Sequence, residues 1–327
     1  MSGKSTLAII SESQVETLIG DDVRFYVDIV EETFAYHGRG THTQPPKSYM
    51  YWHGGCNRLN LMPAYLSAPY DIIGVKCVTS VPDNPRCRGI PRGQSTLLLF
   101  SQATGQLLAI FEGTKISAMR TAAMTVVAAR HLAPNPTNSL GILGAGPIAF
   151  AHVVACYHEL GISNVMIFDI NRKVTERFAD EVRSAFPIEV VEMEDGRAAV
   201  SGADVVVTAT SSSEAFVDVD WIKPGTLVSN IGVMELKPAV FGVARVVIVD
   251  DYVQCTQKPR PLKQAIDAQI LDKEAIIEMG KIICGAKVVP RVNGDIIIFN
   301  PIGMGMLDVA CGKKLLDRAR VAGLISA

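Results

Sequence analysis

The sequence predicts an α/β protein in two parts, a doubly wound parallel sheet set within a mixed, mainly antiparallel domain. Three observations predict it. After residue 139, short runs rich in Val and Ile alternate with helix-like stretches, the pattern of a parallel sheet covered on both faces. Before residue 115, longer apolar runs follow one another through turns such as "ATGQ", as neighbouring antiparallel strands do. Between the two lies the alanine-rich "KISAMRTAAMTVVAARHL", helical in character.

Taken in order, the strands of the first part are "RLNLMPAYL", "YDIIGVKCVTSV" and the pair in "QSTLLLFSQATGQLLAIFEG". A helix over residues 115–132 leads onward. The parallel part then runs "LGIL" (140–143), "NVMIFD" (164–169), "IEVVE" (188–192), "ADVVVTAT" (203–210), "GTLVSNIG" (225–232), "ARVVIVDD" (244–251) and "GDIIIF" (294–299). "IAFAHVVACYHEL" and the amphipathic "NRKVTERFADEVRSAF" supply its first helices. The tail, "GMLDVACGKKLLDRARVAG", reads as a helix returning to the first domain. The expected division is residues 1–130 with 301–327, and 131–300. Apolar strands with few helices to cover them point to a homodimer.

Composition bounds the function. A chain of 327 residues, 48% hydrophobic and 20% charged, has room for a substantial core,. A net charge of -2 without a basic run argues against nucleic-acid binding,. Seven cysteines without a C-x-x-C pair fit neither a disulfide framework nor a zinc site, so no metal is expected,. No apolar run matches a signal peptide or a membrane span. The expected setting is cytoplasmic.

Gly144-Ala145-Gly146-Pro147-Ile148-Ala149 fits G-x-G-x-x-A. The first glycine permits a tight turn, the second lets backbone approach a pyrophosphate, and the small third residue lets helix pack on strand. Glycines close many turns, so the pattern alone is weak. Its context is a strand before, a helix after, and Asp169 at the end of the next strand, where a carboxylate meets a ribose 2′-hydroxyl. This is a Rossmann arrangement. It predicts a nicotinamide dinucleotide, NAD rather than NADP, because a 2′-phosphate would face Asp169. Arg172 nearby is the one cation that opposes this preference.

Four charged residues are candidates for chemistry. Lys76 lies in a strand that is apolar on both faces, where an unpaired ammonium is costly. It is either a lysine snorkelling from an edge strand or an anchor for a substrate carboxylate. Arg120 lies early in a helix, opposing the macrodipole, and so answers an anion there; the alternative is a solvated surface arginine. Thr121 beside it offers a hydroxyl to a phosphate. Glu235 follows the strand "GTLVSNIG" at the carboxyl end of the sheet, where ligands bind in open α/β sheets. It is a proton-moving acid or a solvated loop residue. Lys47, in "THTQPPKSYMY", is a loop charge or a second carboxylate ligand.

The stretches "NLMPAY" (60–65), "GVKCVTSVPDNP" (74–85), "TGQLLAIFEGTKISAMRTAAMTVVAARHLA" (104–133), "LGAGPIA" (143–149) and "VSNIG" (228–232) together resemble the ornithine cyclodeaminase/μ-crystallin family. The resemblance spans nearly the whole chain. It implies a Rossmann domain inserted into a dimerising substrate domain, with NAD(P) as cofactor and amino-acid substrates. "SNIGVMELKPAVF" and "VVIVDDYVQCTQKPRPLKQ" resemble a branch that serves siderophore biosynthesis. That branch oxidises an opine-like secondary amine joining two amino-acid skeletons, and imine hydrolysis releases 2,3-diaminopropionate and 2-oxoglutarate. Two positions depart from the cyclodeaminases, which carry a glutamate where Asn60 stands and an aspartate where Glu235 stands. Ornithine cyclisation is thereby disfavoured.

The resemblance implies hydride transfer from the carbon α to a carboxylate. Lys76 and Arg120, with Lys47, would hold carboxylates, and Glu235 would activate water or shuttle a proton. Arg120, Thr121, the turn from Gly144 to Ala149, Asp169, Arg172, Thr208, Ala209, Thr210 and Ile231 would hold the cofactor. Ketimine reduction, alanine dehydrogenation and ornithine cyclodeamination are the rival activities. A ligand-binding protein of low activity, as in the μ-crystallin branch, is the rival of a different class.

Overall fold

The computed structural model describes residues 7–19, 22–133, 136–290, 292 and 294–325. The chain divides into two compact units, residues 1–120 with 304–327, and residues 121–303.

The first unit holds β1 (Ala8–Ile10), α1 (Glu12–Ile19), α2 (Val23–Arg39), β2 (His42–Thr43), β3 (Ser48–Trp52), β4 (Asn57–Leu66), β5 (Ile72–Ser80), α3 (Asn84–Arg88), β6 (Gly93–Ser101) and β7 (Leu107–Glu112). Its strands are ordered β1-β7-β6-β5-β4-β2, with β3 also on β4. All neighbours are antiparallel except β1 with β7. Alternation along the strands buries Met62, Ala64, Leu66, Ile72, Leu97, Leu99, Ala109 and Phe111 on one face,. That face is covered by the helix Gly305–Val321, and α2 packs on that helix.

The long helix lies close on the sheet because glycines face it from both sides. A Cβ on Gly74 would meet Val309 Cγ2 at 2.7 Å, and one on Gly312 would meet Leu97 Cδ2 at 2.4 Å. The opposite face is more open, with Ile9 69%, Met50 57% and Ile73 37% exposed. The sequence reading gave this unit few covering helices of its own, and α2 corrects it. Asp22 caps its start by accepting from Phe25 N, and Gly40 ends it in the left-handed region at φ 75°,. Its Val, Phe, Tyr and Thr residues are weak helix formers, and packing of Phe25, Tyr26, Ile29, Val30 and Phe34 decides the outcome,.

The helix α4 (Thr114–Leu132) is followed by β8 (Ser139–Leu143), α5 (Pro147–Leu160), β9 (Asn164–Phe168), α6 (Arg172–Ala185), β10 (Glu189–Glu192), α7 (Gly196–Ser201), β11 (Val205–Thr208), β12 (Leu227–Asn230), α8 (Pro238–Gly242) and β13 (Val246–Val249). Then come α9 (Tyr252–Thr256), α10 (Pro261–Asp267), β14 (Ile276–Glu278), α11 (Met279–Ile283), β15 (Ile297–Phe299) and α12 (Gly305–Val321). The second unit is one parallel sheet, ordered β10-β9-β8-β11-β12-β15-β13-β14. The chain moves outward from β8 through β9 and β10, then reverses to β11 and β12. Ligands of doubly wound sheets bind at that switch point, beyond the carboxyl ends of the strands.

A buried chain of side chains braces the middle of this unit. His152 is fully buried, and its pKa is lowered to about 4 by desolvation, so the ring is neutral. Nδ1 donates to Ile148 O at 2.7 Å, because a carbonyl only accepts. Nε2 must then accept from Thr125 Oγ1 at 3.0 Å, which leaves Ser229 Oγ to donate to Thr125 Oγ1 at 2.7 Å,.

Candidate active site

At the switch point, β8 ends in Gly144, whose φ is +96°. A Cβ there would lie 2.7 Å from Ala209 O, so only glycine fits,. Gly144 N donates to Phe168 O at 2.8 Å, and Ala145 N donates to Asp169 Oδ2 at 3.0 Å. The other oxygen of Asp169 accepts from Asn171 N at 2.9 Å. Asp169 therefore ties the end of β9 to the turn.

Gly146 is the N-cap of α5 and gives it no side-chain cap, Pro147 fills the first turn, and a Cβ on Gly146 would meet nothing within 4 Å. Ala149, fully buried, lets the helix settle on the sheet. Uncapped amides over an open approach are what a pyrophosphate needs. These residues fit a dinucleotide. Arg172 is turned to other work, since Nε pairs with Glu176 at 2.9 Å and the side chain is 90% exposed. Thr121 is buried in α4.

Beyond β11 and β12, two side chains lock the strand ends. Thr208 Oγ1 donates to Asn230 Oδ1 at 2.7 Å, and Asn230 Nδ2 donates to Asn300 Oδ1 at 2.6 Å. Glu235 is wholly buried. Its Oε1 accepts from Thr210 N at 3.0 Å and Thr210 Oγ1 at 2.7 Å, and its Oε2 accepts from Met234 N at 3.0 Å.

The intervening loop, with Ile231 half-buried, is drawn tight. Val233, a β-branched residue, sits at φ 63°, and a Cβ on Gly232 would fall 1.9 Å from Glu235 Oε1,. The sequence offers Glu235 as a proton-moving acid or a solvated loop residue. The solvated alternative fails, because both oxygens are engaged away from water and bridge the segments after β11 and β12.

In the first unit, Lys76, Arg120 and Asp308 are 2%, 5% and 1% exposed. Lys76 Nζ donates to Asp308 Oδ1 at 2.9 Å and to Ser117 Oγ at 3.1 Å. Oδ2 lies 2.8 Å from Nζ as an ionic contact without the alignment of a hydrogen bond,. Arg120 Nε donates to the same Oδ1 at 3.0 Å. The snorkelling alternative for Lys76 fails, because β5 lies between β4 and β6. Burial, and then the Arg120 charge, lower the Lys76 pKa to about 8 against the opposing pull of Asp308. Burial and Asp308 together push the nearby Cys311 thiol far up, so it stays neutral.

An ammonium has three donors. Two have acceptors here, and the third has none among the described residues. Sequence reasoning missed Asp308. Its signal was a lone acid inside the small, apolar "GMLDVACG".

The neighbouring row on the same face carries two polar side chains that are also incompletely satisfied. Asn60 pairs with Val78 and Val78 with Ser95, one step along from Met62, Lys76 and Leu97. Asn60 Oδ1 and Ser95 Oγ are buried without a partner,. Lys47 lies half-buried between β2 and β3. Gln44 of that loop accepts from Met306 N at 3.0 Å, near Asp308 on α12. Among the described residues no three His, Cys, Asp or Glu side chains gather as for a metal, and no helix is long and apolar enough to cross a membrane.

The glycine-turned doubly wound sheet defines a dinucleotide-binding α/β protein, and the other unit holds two buried cations on one carboxylate. The chain belongs to the ornithine cyclodeaminase/mu-crystallin family, whose model matches residues 7–323. It is 30% identical over 318 residues to N-((2S)-2-amino-2-carboxyethyl)-L-glutamate dehydrogenase of Staphylococcus aureus, covering 95% of both chains. It superposes with TM-score 0.91 and 27% identity on Delta(1)-pyrroline-2-carboxylate reductase of Thermococcus litoralis, solved with NADH and L-proline, covering 97% of this chain and 98% of that one. An archaeal alanine dehydrogenase dimer with bound NAD matches with TM-score 0.87 and 27% identity over 98% of each chain.

Proposed function

We propose that this protein is an NAD-dependent oxidoreductase acting on the C–N bond of an amino-acid-derived secondary amine of the N-(2-amino-2-carboxyethyl)-L-glutamate type. The observation that carries the reading is Lys76, a buried ammonium with one donor unspent, set beside Arg120. The Staphylococcus aureus relative supports the substrate class. Gly144, Ala145, Gly146 and the first amides of α5 hold the pyrophosphate. Asp169 holds the ribose, and Thr121, Thr208, Ala209, Thr210 and Ile231 hold the remainder. NAD, when bound, supplies the hydride acceptor.

Lys76 and Arg120 bind the substrate carboxylate. The amine loses a hydride, and a proton to solvent, to become an imine, and water adds to the imine carbon. The hydroxyl proton of that adduct passes through water to the nitrogen as the C–N bond breaks, leaving a 2-oxo acid and an amine. Glu235 positions Thr210 rather than moving protons. Asn60, an amide in place of an acid, receives a neutral polar group of the substrate. Asp169 favours NAD over NADP.

The protein works as a homodimer, joined through the open face of the first sheet, in the reducing cytoplasm that its seven free thiols suit,. Incubation with NAD and N-(2-amino-2-carboxyethyl)-L-glutamate tests the reading. NADH, 2-oxoglutarate and 2,3-diaminopropionate should form together. Turnover of cyclic imines with NADH, and none of the secondary amine, would favour a reductase like the Thermococcus relative.

A further inference from the structure

Lys76 has identifiable neighbours on two helices and two strands. From α4 come the Ser117 hydroxyl and the Arg120 guanidinium, and from α12 the Asp308 carboxylate and the neutral Cys311 thiol. Its strand neighbours are Met62 on β4 and Leu97 on β6, both apolar. Asp308 grips the amine through Oδ1 while lending that same oxygen to Arg120. Two of the three N–H directions are thus fixed by α12 and α4, and the third is set by elimination.

We infer that Asp308 is a positioning residue that aims the unspent Nζ–H of Lys76 at an incoming carboxylate, and that a proton is taken up at Lys76 as the carboxylate binds. This rests on the proposed function, which places a carboxylate there. The physical reason is linkage. An anion beside the ammonium favours its charged form and raises its proton affinity.

In the free protein the Lys76 pKa lies at about 8. Well below that value Lys76 already holds its proton and binding takes up none. Above it, the neutral fraction must be protonated, so uptake approaches about one proton per ligand. Asp308 raises the Lys76 pKa, so loss of its charge should move the uptake window to lower pH.

The experiment is isothermal titration calorimetry of pyruvate into the full-length protein saturated with NADH, with no amine present so that no turnover follows. Each titration is made in two buffers of contrasting ionisation enthalpy. At about pH 9 the heats should differ between buffers by close to one proton, and at about pH 6.5 they should coincide. Asp308→Asn should show uptake at about pH 7 that the unaltered protein lacks. Lys76→Met, a near-isosteric change, should show none at any pH.

Pyruvate binding with equal buffer heats at about pH 9 would overturn the inference and leave the carboxylate-anchor reading standing. Failure of pyruvate to bind while NADH still binds would overturn both. An uptake window unmoved in Asp308→Asn, with weaker binding alone, would reduce Asp308 to a structural part. Should Asp308→Asn not fold, the unaltered protein and Lys76→Met still decide the proton uptake.

Discussion

Asp308 meets Lys76 with both carboxylate oxygens, at 2.9 and 2.8 Å, from 232 positions away along the chain. The pair joins the helix covering the sheet to a strand at its centre.

Lys76 must be protonated to hold a carboxylate, and in the free protein it loses that proton around pH 8. The value of kcat/KM should therefore fall above about pH 8. Lys76→Met should remove that limb and chiefly raise KM, with a smaller loss in kcat. Arg120→Ala should chiefly raise KM. A wild-type profile flat to about pH 10 would exclude Lys76 as the titrating group.

Glu235→Gln separates a clamp from a base. The amide would set an N–H against Met234 N, losing charge-assisted bonds and about 1.5–3 kcal/mol. Thermal stability and NAD affinity should fall, while kcat at saturating NAD stays within about threefold. A kcat loss of about 10²–10⁴-fold with NAD affinity intact would restore Glu235 as the base. Gly232→Ala should copy the clamp defect, because its Cβ would sit 1.9 Å from Oε1.

Cofactor choice rests on Asp169. Catalytic efficiency should be higher with NAD than with NADP. Asp169→Ala should narrow the gap and also weaken NAD, since Ala145 N loses its acceptor. Equal efficiency in the unaltered protein would show that another cation governs the ribose.

Sedimentation equilibrium should give twice the 35.2 kDa chain mass. Ile73→Glu, on the open sheet face where Ile73 is 37% exposed, should shift the protein to monomer. A monomer before any substitution would remove the dimer from the proposal.

His152 predicts an acid weakness. Its folded pKa of about 4 lies below the ordinary 6.5, so between those values the unfolded chain binds the extra proton. Stability should be complete above pH 6.5 and decline toward pH 4, by as much as about 3 kcal/mol from this residue. Denaturant titrations of the unaltered protein and His152→Gln should diverge over that window; parallel curves would place the acid sensitivity elsewhere.

The dinucleotide turn was legible because its determinants are local. Gly144, Gly146 and Asp169 lie on two adjacent strands and the turn between, and their residue types follow from the backbone path. The demand of Lys76 for a partner was equally legible, since an apolar strand cannot hold a bare ammonium. Its answer was not, because Asp308 arrives through tertiary packing. The burial of Glu235 was hidden for the same reason: nothing near it in sequence reveals that Thr210 would enclose its carboxylate. The edge strand β14, only three residues long, gave no periodicity to read. The helix α2 was hidden by residues whose local preference is divided between helix and strand.

The first unit is interrupted in sequence by residues 121–303, and its covering helix lies beyond the interruption. A nascent chain therefore completes the parallel-sheet unit while the antiparallel sheet still shows its apolar face, with Lys76 lacking Asp308. Domains generally fold as units during synthesis, so the inserted one is free to finish first and the enclosing one must wait. A ribosome-bound chain stalled before α12 emerges should resist protease across residues 121–303 and be cut within 7–112. The order of assembly is written into the point at which one domain was threaded through the other.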